Sequence, residues 1–182
     1  MGARIPPVKL EEATEEQREA LERVKSALGK VPALYATFGQ APNVLGALLA
    51  FQGALAKGGL TARDRDLIDL HVSQLNGCGY CVSAHTALAK ANRISGEEIL
   101  RIREGQGETR RDAAVLALAR RVTTGRGLGA GAEIAQAREA GLSDPLIVEV
   151  ISAAALRSLV NAVALASGTE IDWPLAPRIP QG

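Results

Sequence analysis

The chain has little of the chemistry by which a site usually announces itself. Its 182 residues include only two cysteines and two histidines. Charge of one sign is missing too: 21 Lys and Arg stand against 20 Asp and Glu, a formal net charge of +1. Without an excess there is no long-range field to recruit nucleic acid or an anionic membrane. Basic residues do recur between Arg101 and Arg126, but Glu104, Glu108 and Asp112 are interleaved, so the stretch reads as a solvated, self-neutralised surface. No apolar run follows the basic residue of the opening MGARIPPVKLEEATEEQ. No secretory signal is read there, and the expected compartment is the cytoplasm, where thiols stay mostly reduced. One apolar stretch, Pro145 to Gly168, is nearly long enough for a bilayer. It carries Glu149, Arg157 and Asn161, and charge at membrane depth is costly, so a buried helix is expected, with no membrane partner.

Strand signals are scarce, and no internal linker, repeat or low-complexity segment is evident. Helix signals repeat instead. Thr14 precedes Gln17 by three positions, Thr61 precedes Asp64, Ser95 precedes Glu98 and Thr109 precedes Asp112, all start signals of the capping-box kind. Asp144-Pro145 reads as an Asp cap with Pro in the first turn. Gly29, Gly58-Gly59, Gly105, Gly141 and Gly168 read as stops. Apolar residues recur at helical spacing between them. The pattern predicts about eight helices, over roughly 15–28, 32–38, 43–56, 62–75, 79–92, 96–104, 110–124 and 145–167, and a further short one over 131–140. The fold class is therefore all-α, a single domain over 1–182 with a core motif at 61–92 and Pro-rich extended arms at 1–10 and 169–182. GRGLGAG, Gly125 to Gly131, lacks the preceding strand of a dinucleotide loop and reads as a connector. The last helix is apolar on nearly every side, which suits both a core position and an interface between copies of the chain.

The scarce residues are not scattered. NGCGYCVSAH, Asn76 to His85, holds both cysteines and one histidine. Gly77 and Gly79 put Cys78 in a turn and Cys81 in the first turn of a helix, where unpaired N–H groups and the helix dipole favour a thiolate. His85 follows Cys81 by four positions, so the two share a face, and a His there can take the thiol proton. Two cysteines spaced this way can close a disulfide reversibly. Two other readings compete. The cysteines could be small core residues, or Cys78, Cys81, His85 and His71 could form a Cys₂His₂ zinc site within one helical hairpin. The second pair of ligands typical of zinc fingers is missing, and so is the strand that precedes a thioredoxin CxxC.

DRDLIDLHVSQLNGCGYCVSAHTALAK resembles the signature of the alkylhydroperoxidase D / carboxymuconolactone decarboxylase family, with Ser73, Asn76, the CxxC, Tyr80 and His85 in place. GKVPALYATFGQAPNVLGALL and NAVALASGTEIDWP resemble the family's peroxidase-related members, so the likeness spans most of the chain. It implies an all-α fold assembled as homotrimers or hexamers. It also implies a site in which Cys81 attacks a hydroperoxide, His85 and Asp66 draw off its proton, and Cys78 closes a disulfide that an external dithiol partner or small thiol reopens. Asp66 stands where the redox branch usually has Glu, and Tyr80 where some members have a second His. The decarboxylase branch generally lacks the cysteine pair. On this reading Asp64 and Asp69 turn to other faces, and His71, on an apolar stripe, is a core residue. Small organic hydroperoxides are the implied substrates, and no cofactor is implied. The activity expected is that of an alkyl hydroperoxide reductase-like peroxidase, with a structural-zinc module or a thiol sensor without turnover as alternatives. Activation by His85 and Asp66 predicts a Cys81 pKa below the free-thiol value of about 8.5, and Cys78 is the candidate for the more exposed thiol.

Overall fold

Each of the four three-residue start signals sits at a helix start. The computed structural model describes Gly2–Ile179, and these residues form nine helices and no strand. They are α1 (Glu15–Leu28), α2 (Ala33–Phe38), α3 (Pro42–Ala56), α4 (Ala62–Leu75), α5 (Gly79–Ala91), α6 (Gly96–Arg103), α7 (Arg110–Gly125), α8 (Gly131–Glu139) and α9 (Asp144–Ser167). Thr14 with Gln17 and Thr61 with Asp64 form reciprocal capping boxes. Ser95 and Thr109 cap through their hydroxyls alone, because the carboxylates of Glu98 and Asp112 are drawn to Arg63 on α4. The start expected at Asp144 falls one residue earlier. Ser143 is the cap residue, and Asp144 and Pro145 already belong to the first turn.

Two apolar clusters organise the helices. One gathers Leu67, Ile68 and Leu70 of α4 with Ile99 and Ile102 of α6, Val115, Leu116 and Leu118 of α7, Ala137 of α8 and Ile147, Val150 and Ala154 of α9. The other joins Leu21 and Val24 of α1, Leu34 and Phe38 of α2, Leu45 and Leu48 of α3, and Val160 and Ala164 of α9, and it takes in Cys78, Tyr80 and Cys81. Helix α9 serves both clusters with successive halves of its length, and the start of α5 lies against the second. Helix α9 is long and apolar enough to cross a membrane by length and composition, yet its polar interruptions are bonded inside the fold. Glu149 accepts the N–H groups of Gly59 and Leu60, Arg157 donates to Asp69, and Asn161 donates to Ser73. Its other face leaves Val148, Leu159 and Leu165 exposed.

The basic stretch after Arg101 is only partly the solvated surface expected. Arg101 pairs with Glu97 and Glu108 in the open. Arg103 and Asp112, however, are buried: Arg103 donates to Gln74 and to the Pro177 carbonyl, and Asp112 receives Arg63. Charge alternation along the chain cannot reveal that α4 supplies these partners, Gln74 for Arg103 and Arg63 for Asp112. Past α9, residues 171–177 run as a strap along the first turns of α5. Trp173 Nε1 donates to the Tyr80 hydroxyl (3.2 Å), and the Ala176 N–H donates to Ser83 Oγ (3.2 Å). Asp172 accepts the Ala33 N–H at the start of α2 (2.8 Å). The end of the arm expected at 169–182 lies outside the described residues at 180–182.

Candidate active site

The turn between α4 and α5 delivers the cysteines. Gly77 has φ 65°, a left-handed conformation that a side chain strains to adopt, and it turns the chain sharply from Asn76 into Cys78. Cys78 becomes the N-cap of α5, its sulfur accepting the Cys81 N–H at 3.4 Å. Both cysteines are free thiols and both are buried, Cys78 at 1% and Cys81 at 2% exposure, so Cys78 is not the more exposed of the two. They differ in what lies in front of them. Cys81 and His85 line a cavity of about 190 Å³, and Cys78 does not. The apolar wall is built from Leu34, Phe38, Leu48, Val160 and Trp173. A second, more polar cavity of about 230 Å³, lined by Gln52, Arg65 and Asp69, meets the first along His85 and Arg157.

Asp69, not Asp66, faces the imidazole. Its Oδ2 lies 3.4 Å from His85 Nδ1, and its Oδ1 accepts Arg157 Nε at 2.7 Å. Asp66 sits one turn nearer the start of α4 and accepts the side-chain amide of Asn92 at the far end of α5 (2.8 Å). The family position counted back from the CxxC therefore lands where α4 and α5 have already separated from the cysteines. Three residues on, Asp69 shares that side of α4 and is level with His85, contrary to the expectation that it turns elsewhere. Asp64 does turn away, capping α4 and receiving Arg111.

These groups set one another's protonation. Burial, reinforced by the Arg157 charge and opposed by Asp69, lowers His85 to about 4, so the imidazole is neutral near pH 7. Burial alone would raise Asp69, but Arg157 and His85 outweigh it and hold the carboxylate below its ordinary range. Asp66 moves the other way, raised by burial despite Asn92. The thiols titrate as a pair. Sharing a proton with Cys81, aided by the Cys81 N–H, Arg157 and Asn161 and opposed by burial, brings Cys78 down to about 7. The same shared proton and burial push Cys81 upward. In this pair the lowering expected at Cys81 falls on Cys78, first because its sulfur receives the Cys81 thiol proton and then because the Cys81 N–H points at it.

Asp69 Oδ2, 3.4 Å from Nδ1, favours the tautomer with its proton on that side, which leaves Nε2 as the acceptor. The site thus sets behind the cavity, at the helix cap, the sulfur on which negative charge is favoured, and on the cavity wall a neutral imidazole together with Cys81. The rival zinc set is not assembled. His71 Nδ1 meets the Arg103 carbonyl at 3.1 Å within the other apolar cluster, and among the described residues no three potential ligands gather. Four features lay outside the sequence-derived set: Asp69, Arg157, Asn161 and Trp173. Arg157 and Asn161 did carry a signal, as polar interruptions one turn apart in an otherwise apolar helix. Asn161 receives Asn76 at 2.9 Å and so ties α9 to the cysteine turn.

Comparison with known proteins adds the following. Residues 42–124 match the sequence model of the carboxymuconolactone decarboxylase family. Among solved structures, the alkylhydroperoxidase AhpD core of a peroxidase-related protein from Ralstonia eutropha JMP134 is 25% identical, with a TM-score of 0.82 over 93% of this chain and 92% of that one. A protein from Agrobacterium tumefaciens, proposed there as the antioxidant-defence protein AhpD, is 25% identical with a TM-score of 0.67 over 73% of this chain and 93% of its own. The debrominase Bmp8, solved with 2,3,4-tribromopyrrole, superposes with a TM-score of 0.78 over 94% and 93% of the two chains at 17% identity, a likeness of fold alone. Among curated proteins nothing matches.

Proposed function

We propose, for a chain related through residues 42–124 to the carboxymuconolactone decarboxylase family and built on the alkylhydroperoxidase D fold, a thiol-dependent peroxidase that reduces small organic hydroperoxides through a reversible Cys78–Cys81 disulfide. The observation that carries the reading is the division of labour between two adjacent thiols. Cys81 opens on an apolar cavity beside a neutral imidazole, and Cys78 caps the helix behind it, where an anion is stabilised. The cavity is somewhat larger than the ~150 Å³ that accepts benzene in an engineered core, a size for a small apolar hydroperoxide.

The steps follow from these positions. As the Cys81 sulfur attacks the terminal oxygen of the hydroperoxide, its proton is relayed through His85, whose buried ring holds it only in passing. The O–O bond breaks, Cys81 becomes a sulfenic acid, and the departing alkoxide takes the proton back from His85 to leave as alcohol. The Cys78 thiolate then attacks the Cys81 sulfur, displacing hydroxide, which is protonated to water, and the disulfide closes. Two thiols and one hydroperoxide give a disulfide, an alcohol and water. Asp69 orients His85 in this scheme, whereas the family resemblance implied Asp66 as a partner of His85 in drawing off the Cys81 proton. An external dithiol protein or small thiol reopens the disulfide. The exposed apolar face of α9 is where copies of the chain meet as a homotrimer or homohexamer, and the protein acts as an antioxidant in the cytoplasm.

The test is the intact mass and free-thiol count of reduced protein before and after one equivalent of cumene hydroperoxide. Loss of two hydrogens and both thiols, reversed by dithiothreitol and repeatable over many cycles, is the expected result. Two unreacted thiols would refute the reading, and a single oxidation without repeated turnover would make the protein a sensor.

A further inference from the structure

Arg157 is more than the counter-charge of Asp69. Its side chain is 13% exposed, and only Nε is used: it donates to Asp69, and among the described residues neither Nη1 nor Nη2 finds an acceptor. Those terminal nitrogens still reach open space, and the planar fork carries donors on both edges. Arg157 lines the apolar cavity together with Cys81 and His85. No Asp or Glu lines that cavity, and Asp69 opens only onto the second one. Two cations line the apolar cavity: Lys30, an exposed residue whose ammonium lies over the Trp173 ring, and Arg157, which alone is mostly buried and held in place by a carboxylate, so Arg157 is the fixed charge that negative charge forming in front of Cys81 can meet.

We propose that Arg157 is a catalytic residue whose terminal Nη groups receive the oxygen that leaves when Cys81 attacks. The inference rests on the peroxidase reading above. As the new S–O bond forms, the O–O electron pair passes to the inner oxygen, which is an alkoxide until His85 returns the proton. In an apolar cavity that charge is poorly solvated, and hydrogen bonds from a preplaced guanidinium lower the barrier without reorganisation. Asp69 holds Arg157 by Nε and so fixes the direction of the unused edge. One carboxylate thus positions both the base and the anion receiver.

The role predicts a dependence on the leaving group that a merely structural arginine would not produce. An alkyl hydroperoxide expels a strongly basic alkoxide, whereas a peracid expels a carboxylate that needs little help. The experiment compares tert-butyl hydroperoxide with peracetic acid in the wild type, Arg157→Lys and Arg157→Met, with folding checked by circular dichroism. Arg157→Lys keeps a charge for Asp69 but has no fork to share with the substrate. In both variants kcat/KM for the alkyl hydroperoxide should fall on the order of a hundredfold, and that for the peracid by no more than about tenfold. Loss of thiolate would slow both substrates alike and cancels in the ratio. Equal losses for the two substrates in a folded Arg157→Lys protein would overturn the inference and leave the peroxidase reading standing. A wild type that consumes neither substrate would overturn both.

Discussion

Acid should weaken this fold through His85, and the size of the effect follows from its position. The folded chain lowers the imidazole to about 4, chiefly by burial and then by Arg157, while an unfolded His titrates near 6.5. Between those values the unfolded chain binds a proton that the folded chain refuses. The contribution of neutral His85 is complete above pH 6.5 and is lost as pH falls from 6.5 to about 4. A gap of roughly 2.5 pH units at about 1.4 kcal/mol each amounts to about 3 kcal/mol. His71, which burial also lowers, and the paired carboxylates Asp64 and Asp69 add their own acid dependence, so the wild-type slope alone is not diagnostic. The comparison is with His85→Gln, which cannot titrate. Urea unfolding of both proteins at one concentration, from pH 7.5 to pH 4, should show their difference in unfolding free energy moving by about 3 kcal/mol toward the variant as pH falls. A constant offset at every pH would refute the reasoning. It would mean that His85 takes its proton at the ordinary value of about 6.5 and that burial does not keep the imidazole neutral below it.

Asp69→Asn should slow hydroperoxide consumption by on the order of a hundredfold, while Asp66→Asn stays near wild type in the same assay; the reverse order would restore the residue counted from the motif. Alkylation of the reduced thiol pair by iodoacetamide should accelerate with pH around an apparent pKa of about 7, and a midpoint at the free-thiol value would remove the capping argument. Cys81→Ser should abolish peroxide consumption, whereas Cys78→Ser should leave a sulfenic acid on Cys81 that dimedone traps. A disulfide that still forms in either variant within one chain is chemically impossible, so loss of hydroperoxide in Cys81→Ser would show a different nucleophile.

The helices were legible in the sequence because their start and stop signals are local. Thr14, Thr61, Ser95 and Thr109 each act within three residues of themselves, and Gly29 and Gly168 end their helices in left-handed geometry as read. The juxtaposition of Cys78, Cys81 and His85 was equally local, a matter of the first two turns of α5. Asp69 was not legible, because its role depends on where α4 crosses α5 rather than on its distance along the chain. Counting back from the cysteines favours Asp66, and only the packing of the two helices shows that Asn92 holds that carboxylate. The exchange of acidity between the thiols escaped for a related reason. The spacing of Cys81 and His85 draws attention to the base, whereas the sulfur favoured by the backbone is the one at the cap. Trp173 belongs to a Pro-rich arm without periodicity, and nothing in its neighbours indicates that it closes the cavity.

The sulfur of Cys78 ties together chemistry and mechanics. As a free thiol it accepts the amide of Cys81 and so completes the first turn of α5. Once bonded to the Cys81 sulfur it gives up its negative charge and its freedom to aim at that amide, and the helix loses its knot. Tyr80 and Ser83, the two residues that fasten the strap through Trp173 and Ala176, sit in the same turn. Closing a Cys78–Cys81 disulfide is therefore expected to disturb the turn that fastens the clasp over the cavity, and amide exchange at Cys81 and Ala176, compared between reduced and oxidised protein, would report it from outside the site.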